Sequence, residues 1–127
     1  MSITESEVKS LFTVWNDALA TGDADQVARR YAENALLLPT VSNKPRNTYA
    51  LIKDYFENAF LPTKPQGEIL ESHVSIGEGW CMDNGIYEFT KGIDGSKVRA
   101  RYTFVYVNEG GDWKIAHHHS SQMPEPL

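Results

Sequence analysis

Five consecutive residues, His117-His118-His119-Ser120-Ser121, gather the side chains of this chain best suited to chemistry. A histidine whose unperturbed pKa is ~6.5 exchanges protons near neutrality, and serine hydroxyls orient a water or a substrate. Trp113-Lys114-Ile115-Ala116 leads into the run and more sequence follows it, so it is no purification tag. The stretch reads as a strand, in which alternate side chains share a face. His117, His119 and Ser121 therefore point one way, and His118 and Ser120 the other. Three readings stand. Histidines at i and i+2, roughly 7 Å apart at Cα, could chelate an ion. A usual site needs a third protein ligand, and neither His73 nor any carboxylate shows ligand spacing. The histidines could instead stack structurally, in a sheet or a subunit interface. The third reading, which the residue types favour, is a polar cluster in a pocket, with histidine as base and serine as holder of water.

The strand before it bears on the choice of face. Val98, Ala100, Tyr102, Phe104 and Tyr106 alternate with Arg99, Arg101, Thr103, Val105 and Val107. The first set is apolar and aromatic and belongs against a core. The second carries two arginines and belongs to solvent or a partner subunit. Pairing register decides which face of the histidine strand joins the aromatic one, and sequence leaves register open. Three further residues are candidates. Thr40 ends Leu36-Leu37-Leu38-Pro39-Thr40, where a hydroxyl could reach a pocket mouth or simply sit in a loop. Tyr55 lies off the main apolar face of its helix, as a pocket hydroxyl or a core-edge ring. Glu88, between Tyr87 and Phe89, is either a solvated outward carboxylate or a buried partner for a pocket base.

The elements that must position these groups follow from periodicity. Thr4 and Glu7 form a capping box. Val8, Leu11, Phe12, Trp15, Ala18 and Leu19 continue as one helical face, which Gly22 ends. A short second helix carries Val27, Ala28 and Tyr31 inward until Asn34 breaks it, and Ala35 to Leu38 reads as a strand. Pro39 to Asn47 is a loop. A third helix is expected from Thr48 to Phe60, closed by Pro62 and Pro65. Strands are expected over Glu68–Ile76, Trp80–Thr90, Lys97–Val107 and Trp113–Ser121, with Gly77–Gly79, Asp94-Gly95 and Glu109-Gly110-Gly111 as turns. The tail from Met123 to Leu127 should lack regular structure. Helices first and then an antiparallel meander predict an α+β cone, a curved sheet wrapped around helices with a pocket at its open end.

Bulk properties narrow the function classes. The 127 residues, 41% hydrophobic, suit one domain over residues 1–127. A net charge of −5 without a basic face argues against nucleic acid. No apolar run is long enough for a membrane span, and the polar, acidic N-terminus is unlike a secretory signal, so a cytoplasmic location is expected. Cys81 is the one cysteine, which excludes an internal disulfide; between Trp80 and Met82 it reads as a buried structural thiol.

Gly22-Asp23, Asp54-Tyr55-Phe56-Glu57-Asn58 and Gly111-Asp112-Trp113-Lys114-Ile115-Ala116 running into the histidines resemble the association (hub) domain of calcium/calmodulin-dependent protein kinase II. They resemble its free-standing bacterial and algal relatives, in the NTF2-like superfamily, still more closely. The His-His-His-Ser-Ser segment followed by Met123-Pro124-Glu125, with Leu38-Pro39-Thr40 upstream, resembles the iota-class carbonic anhydrases, which are built on such a domain. The chain departs from the animal hub, whose pocket is lined by arginines: the matching places hold Phe104 and Ser120, and Glu88 stands at a third. The hub's affinity for small carboxylates is therefore not implied, and the length leaves no room for a kinase.

The resemblance implies reversible hydration of carbon dioxide to bicarbonate, with no metal and no other cofactor. It implies that Thr40, Tyr55 and Ser120 hold water and bicarbonate, with His118 as general base or its orienter. Tyr102 and Phe104 would supply apolar wall, with Ser121 a further substrate contact. It also favours self-association, expected as a homodimer through the face bearing Arg99 and Arg101. A non-catalytic hub or small-ligand-binding module is the alternative.

Overall fold

Helix α1 (Glu5–Ala20) starts where its capping box requires: Glu7 N–H donates to the Thr4 hydroxyl, and Thr4 N–H donates to the Glu7 carboxylate. It buries Val8, Phe12, Trp15, Ala18 and Leu19, the stripe expected from helical spacing. Gly22, at φ 70°, turns the chain into α2 (Ala24–Ala28), which Asp23 caps. The computed structural model describes residues 2–127.

Two helical boundaries differ from expectation. The second helix ends at Ala28, and strand β1 (Tyr31–Leu38) begins three residues before Asn34. Tyr31 does face inward, but from a strand. The third helix splits into α3 (Tyr49–Tyr55), a π-helical turn (Phe56–Phe60) and a 3-10 turn (Leu61–Thr63). Pro62 sits inside that last turn, at an N-terminal position where its missing N–H is no loss. The wider π turn seats Phe56 and Phe60 in the core, where both are buried.

Strands β2 (Pro65–Gly77), β3 (Trp80–Lys91), β4 (Lys97–Glu109) and β5 (Asp112–Gln122) form the expected antiparallel meander, each somewhat longer than periodicity indicated. The sheet has five strands, in the order β1-β5-β4-β3-β2, because β1 adds to β5 in parallel. This pairing brings the end of β1, and the loop that follows it, beside the His-Ser run. The helices cover one face. There Phe12 and Trp15 of α1 meet Tyr87, Phe89, Phe104 and His118 of the sheet, with ring centroids 5.4–6.3 Å apart.

Register, open in the sequence, is set by a bulge between Val105 and Tyr106. With it, Tyr102 opposes Ser120 and Phe104 opposes His118. His118 and Ser120 therefore join the aromatic face. Arg99, Arg101, Thr103, His117, His119 and Ser121 lie on the other.

Candidate active site

Strand β5 delivers two polar side chains, Ser120 and His118, to the covered face, and both are buried. The Ser120 hydroxyl bonds the hydroxyl of Thr40, which stands two residues past the end of β1. A turn from Pro39 to Pro45 carries Thr40 there, pinned at its far end by backbone bonds in both directions between Leu37 and Arg46. A cleft of about 350 Å³, lined by Leu38, Thr40, Ser42, Lys44, Ser120 and Gln122 among others, connects this pair to solvent.

His118 lies deeper. Its ring stacks on Phe104 at 4.0 Å and meets the edge of Trp15 at 5.4 Å. Both nitrogens are engaged: Nδ1 with the Tyr31 hydroxyl at 2.8 Å, and Nε2 with the Tyr87 hydroxyl at 3.1 Å. A neutral imidazole has one N–H and one lone pair, so one tyrosine accepts from it while the other donates to it. Burial, with smaller contributions from His117 and His119, pushes the His118 pKa down to about 3. A ring so held is neutral at physiological pH and is a poor proton acceptor. Of its two expected roles, the geometry favours orienter over general base.

The Tyr87 hydroxyl lies beside the pair, and Tyr55 packs near the turn that carries Thr40. Burial pushes Tyr87 far above its ordinary pKa, while the adjacent Ser120 and Thr40 hydroxyls pull the other way. Tyr55 is buried, stacked on Phe60 at 6.0 Å, with the Arg46 guanidinium 5.7 Å from its ring centre. Its pKa is pushed up to about 12 by burial, opposed by the Val41 backbone and by Arg46. Arg46 is itself buried and tied to Asp54, Ser42 and the Leu51 carbonyl, so the Thr40 turn is clamped to α3.

The structure thus brings Thr40, Ser120, Tyr55 and His118 to one side of the sheet, with Phe104 as wall. Tyr102 is on the same face and stacks on Tyr87 at 4.6 Å, but its hydroxyl donates to Asp83, away from the serine–threonine pair. Ser121 points to the outer face, where it lines an open groove with Arg101 and His119, and it also reaches the rim of the cleft at Thr40 and Ser120. Glu88 faces outward and pairs with Arg99 at 2.9 Å, which removes it as a partner for a pocket base. Cys81 is fully buried, and burial raises its pKa to about 11. Sequence reasoning missed Tyr31 and Tyr87 as site residues. Tyr87 carried a signal, since its parity on β3 matches that of the buried Phe89; Tyr31 carried none, because its partner lies on β5. Among the described residues, no three His, Cys, Asp or Glu side chains are grouped to hold a metal ion.

The family model of the calcium/calmodulin dependent protein kinase II association domain matches residues 4–124. The chain belongs to this family. A Xanthomonas campestris structure described as such an association domain is 47% identical, with a TM-score of 0.90 over 94% of this chain and 88% of that one. The iota-carbonic anhydrase of a cyanobacterium, solved with bicarbonate, is 22% identical, with a TM-score of 0.84 over 98% of this chain and 95% of the other. An NTF2-like protein of Novosphingobium aromaticivorans shares the fold at 10% identity and a TM-score of 0.77, over 96% and 83%. No curated protein sequence is a significant match. The association-domain fold is therefore the NTF2-like cone with N-terminal helices inside a curved sheet, as the element order implied. No helix among the described residues is long and apolar enough to cross a membrane.

Proposed function

We propose that the chain is a carbonic anhydrase, which adds water to carbon dioxide to give bicarbonate and a proton. The observation that carries this reading is the Thr40–Ser120 hydroxyl pair, half-buried beside Tyr87 at the mouth of an aromatic-walled interior. Hydroxyls can donate and accept, so such a pair can hold a water and then the bicarbonate oxygens that form from it. Phe104 and the tyrosine rings give an uncharged gas an apolar seat. His118, neutral and locked by two tyrosines, holds the Tyr87 hydroxyl in place, and the released proton leaves through the cleft to solvent. The likeness to an iota-carbonic anhydrase bound to bicarbonate supports the reading at the level of fold.

The reaction is proposed to run without metal, on a donor set of hydroxyls and a locked imidazole that offers no group of three ligands. A zinc enzyme lowers the pKa of its bound water to ~7, and here preorganised hydroxyls must do the corresponding work. The test is the initial rate of carbon dioxide hydration by the purified chain, before and after exhaustive chelation, with elemental analysis. Activity that survives chelation is the expected result. No activity at all would leave the second reading, a non-catalytic hub or small-ligand module, which the family's association role favours. Either reading includes self-association, for which the outer sheet face is the proposed surface and a homodimer the proposed product.

A further inference from the structure

The edge of the sheet farthest from β1 is β2, and it does not pair evenly. Its register with β3 slips between Ile69 and Glu71. The slip presses the Glu71 carbonyl against β3 where residue 85 has no side chain: a Cβ on Gly85 would stand 2.0 Å from that oxygen. Between the bulge and α1 runs a cleft of about 530 Å³, whose walls include Phe12, Thr13, Leu70 and Ser72, with Asp83 at its inner end. Asn16 fixes the cleft's geometry by bonding the Gly67 N–H at 2.9 Å and the Gly67 carbonyl at 3.2 Å.

Asp83 is 1% exposed. The Ser72 and Tyr102 hydroxyls both donate to its Oδ1, at 2.6 and 2.9 Å. Its Oδ2 has no partner. No cation pairs with it among the described residues; Lys9, at the rim, is instead paired with Glu5. On the same face of the neighbouring strand, the buried Tyr106 hydroxyl also lacks a partner. Burial first, and the nearby Asp83 second, hold the Tyr106 pKa far above its ordinary value. A buried acceptor of this kind is costly to leave unmade, and the proposed hydration site does not use it.

We infer that this cleft binds a small primary ammonium ion, whose N–H groups donate to Asp83 Oδ2 while its carbon chain lies against Phe12 and Leu70. A metal cation fits less well, because hard cations need several oxygens and Asp83 has only one to spare. A neutral alcohol brings a single donor and no charge to set against the carboxylate.

Calorimetric titration of the full chain with butylammonium chloride, tetramethylammonium chloride and 1-butanol tests this. Butylammonium should bind at one site per chain, with the other two binding far more weakly. Asp83→Asn, nearly the same in shape, should weaken butylammonium binding about tenfold or more, as expected for losing a charge-assisted bond. Thr13→Trp, on the exposed rim, should block the cleft to a similar degree without touching Asp83, and it stands as the test if Asp83→Asn fails to fold. Absence of butylammonium binding would overturn the proposal. So would butanol or tetramethylammonium binding as well as butylammonium, or binding that both variants leave intact.

Discussion

Consecutive residues of β5 live in two different solvents. On the covered face, Ser120 and His118 are buried, and every polar atom of the imidazole is bonded to a tyrosine. On the open face, Arg99 pairs with Glu88 across strands, and Ser121 and His119 line a groove. The histidines make the contrast sharpest. Burial takes His118 down to a pKa of about 3, whereas for the half-buried His117 burial lowers the value by less. The lesson is that the chemical identity of a side chain matters less here than the parity of its position. One strand carries a candidate catalytic surface and a candidate assembly surface back to back.

The contrast breaks most visibly at the hydroxyl pair. Ser120→Ala and Thr40→Val each remove one hydroxyl at nearly constant volume, so folding should survive. Hydration should fall roughly a hundredfold, the effect of losing a donor worth ~3 kcal/mol in comparable sites. Circular dichroism followed by initial rates makes the measurement; near wild-type rates in both variants would remove this pocket from the reaction.

A smaller effect separates the two histidine faces by pH. His118 has a folded pKa of about 3 against an ordinary 6.5, so between these values the unfolded chain binds a proton that the folded chain refuses. Stability must therefore fall as pH drops below ~6.5 and level off near 3, with about 2 kcal/mol lost by pH 5. Urea unfolding at pH 7 and pH 5 should show that loss in the wild type and in His117→Gln, but much less of it in His118→Gln. Equal slopes in all three proteins would mean that burial of His118 does not govern the acid limb.

The smallest effect belongs to the outer face. The Arg99 side chain is 37% exposed, so its pair with Glu88 should contribute less than about 1 kcal/mol once screening is counted. Arg99→Ala should leave the hydration rate within about twofold, consistent with a weak surface pair. It should shift the oligomer mass seen by light scattering. A large loss of rate with unchanged mass would reverse the assignment of the two faces.

Much of this arrangement was legible from residue order. The Thr4–Glu7 capping box, the α1 stripe and the β-strand alternation depend on neighbours a few residues apart, and all three appear as read. Local pattern stopped being enough where long-range pairing took over. Tyr31 reads naturally as the last inward residue of a helix, yet pairing with Ile115 draws it into β1. The face of His118 was undetermined until the Val105–Tyr106 bulge set its partner. Asp83 gave no warning either: a carboxyl among inward-facing residues breaks the alternation, and only Ser72 and Tyr102, 11 and 19 residues away, make its burial tolerable. The opposite facing of Ser120 and Ser121, by contrast, followed from strand alternation alone.

The parallel seam between β1 and β5 also governs when the site comes into being. Thr40 and Ser120 are separated by 80 positions, and the Tyr31–His118 contact by 87. As the chain emerges from synthesis, the residues of α1, β1 and the Thr40 turn are made long before those of β5, the one strand that β1 pairs with. Until β5 has been made and has threaded in beside β1, the hydroxyl pair has one member and the tyrosines have no imidazole to grip. Such distant closures carry a loop-entropy cost that only the finished sheet offsets. The candidate chemistry is thus timed to the last step of assembly, and a partly made chain holds none of it.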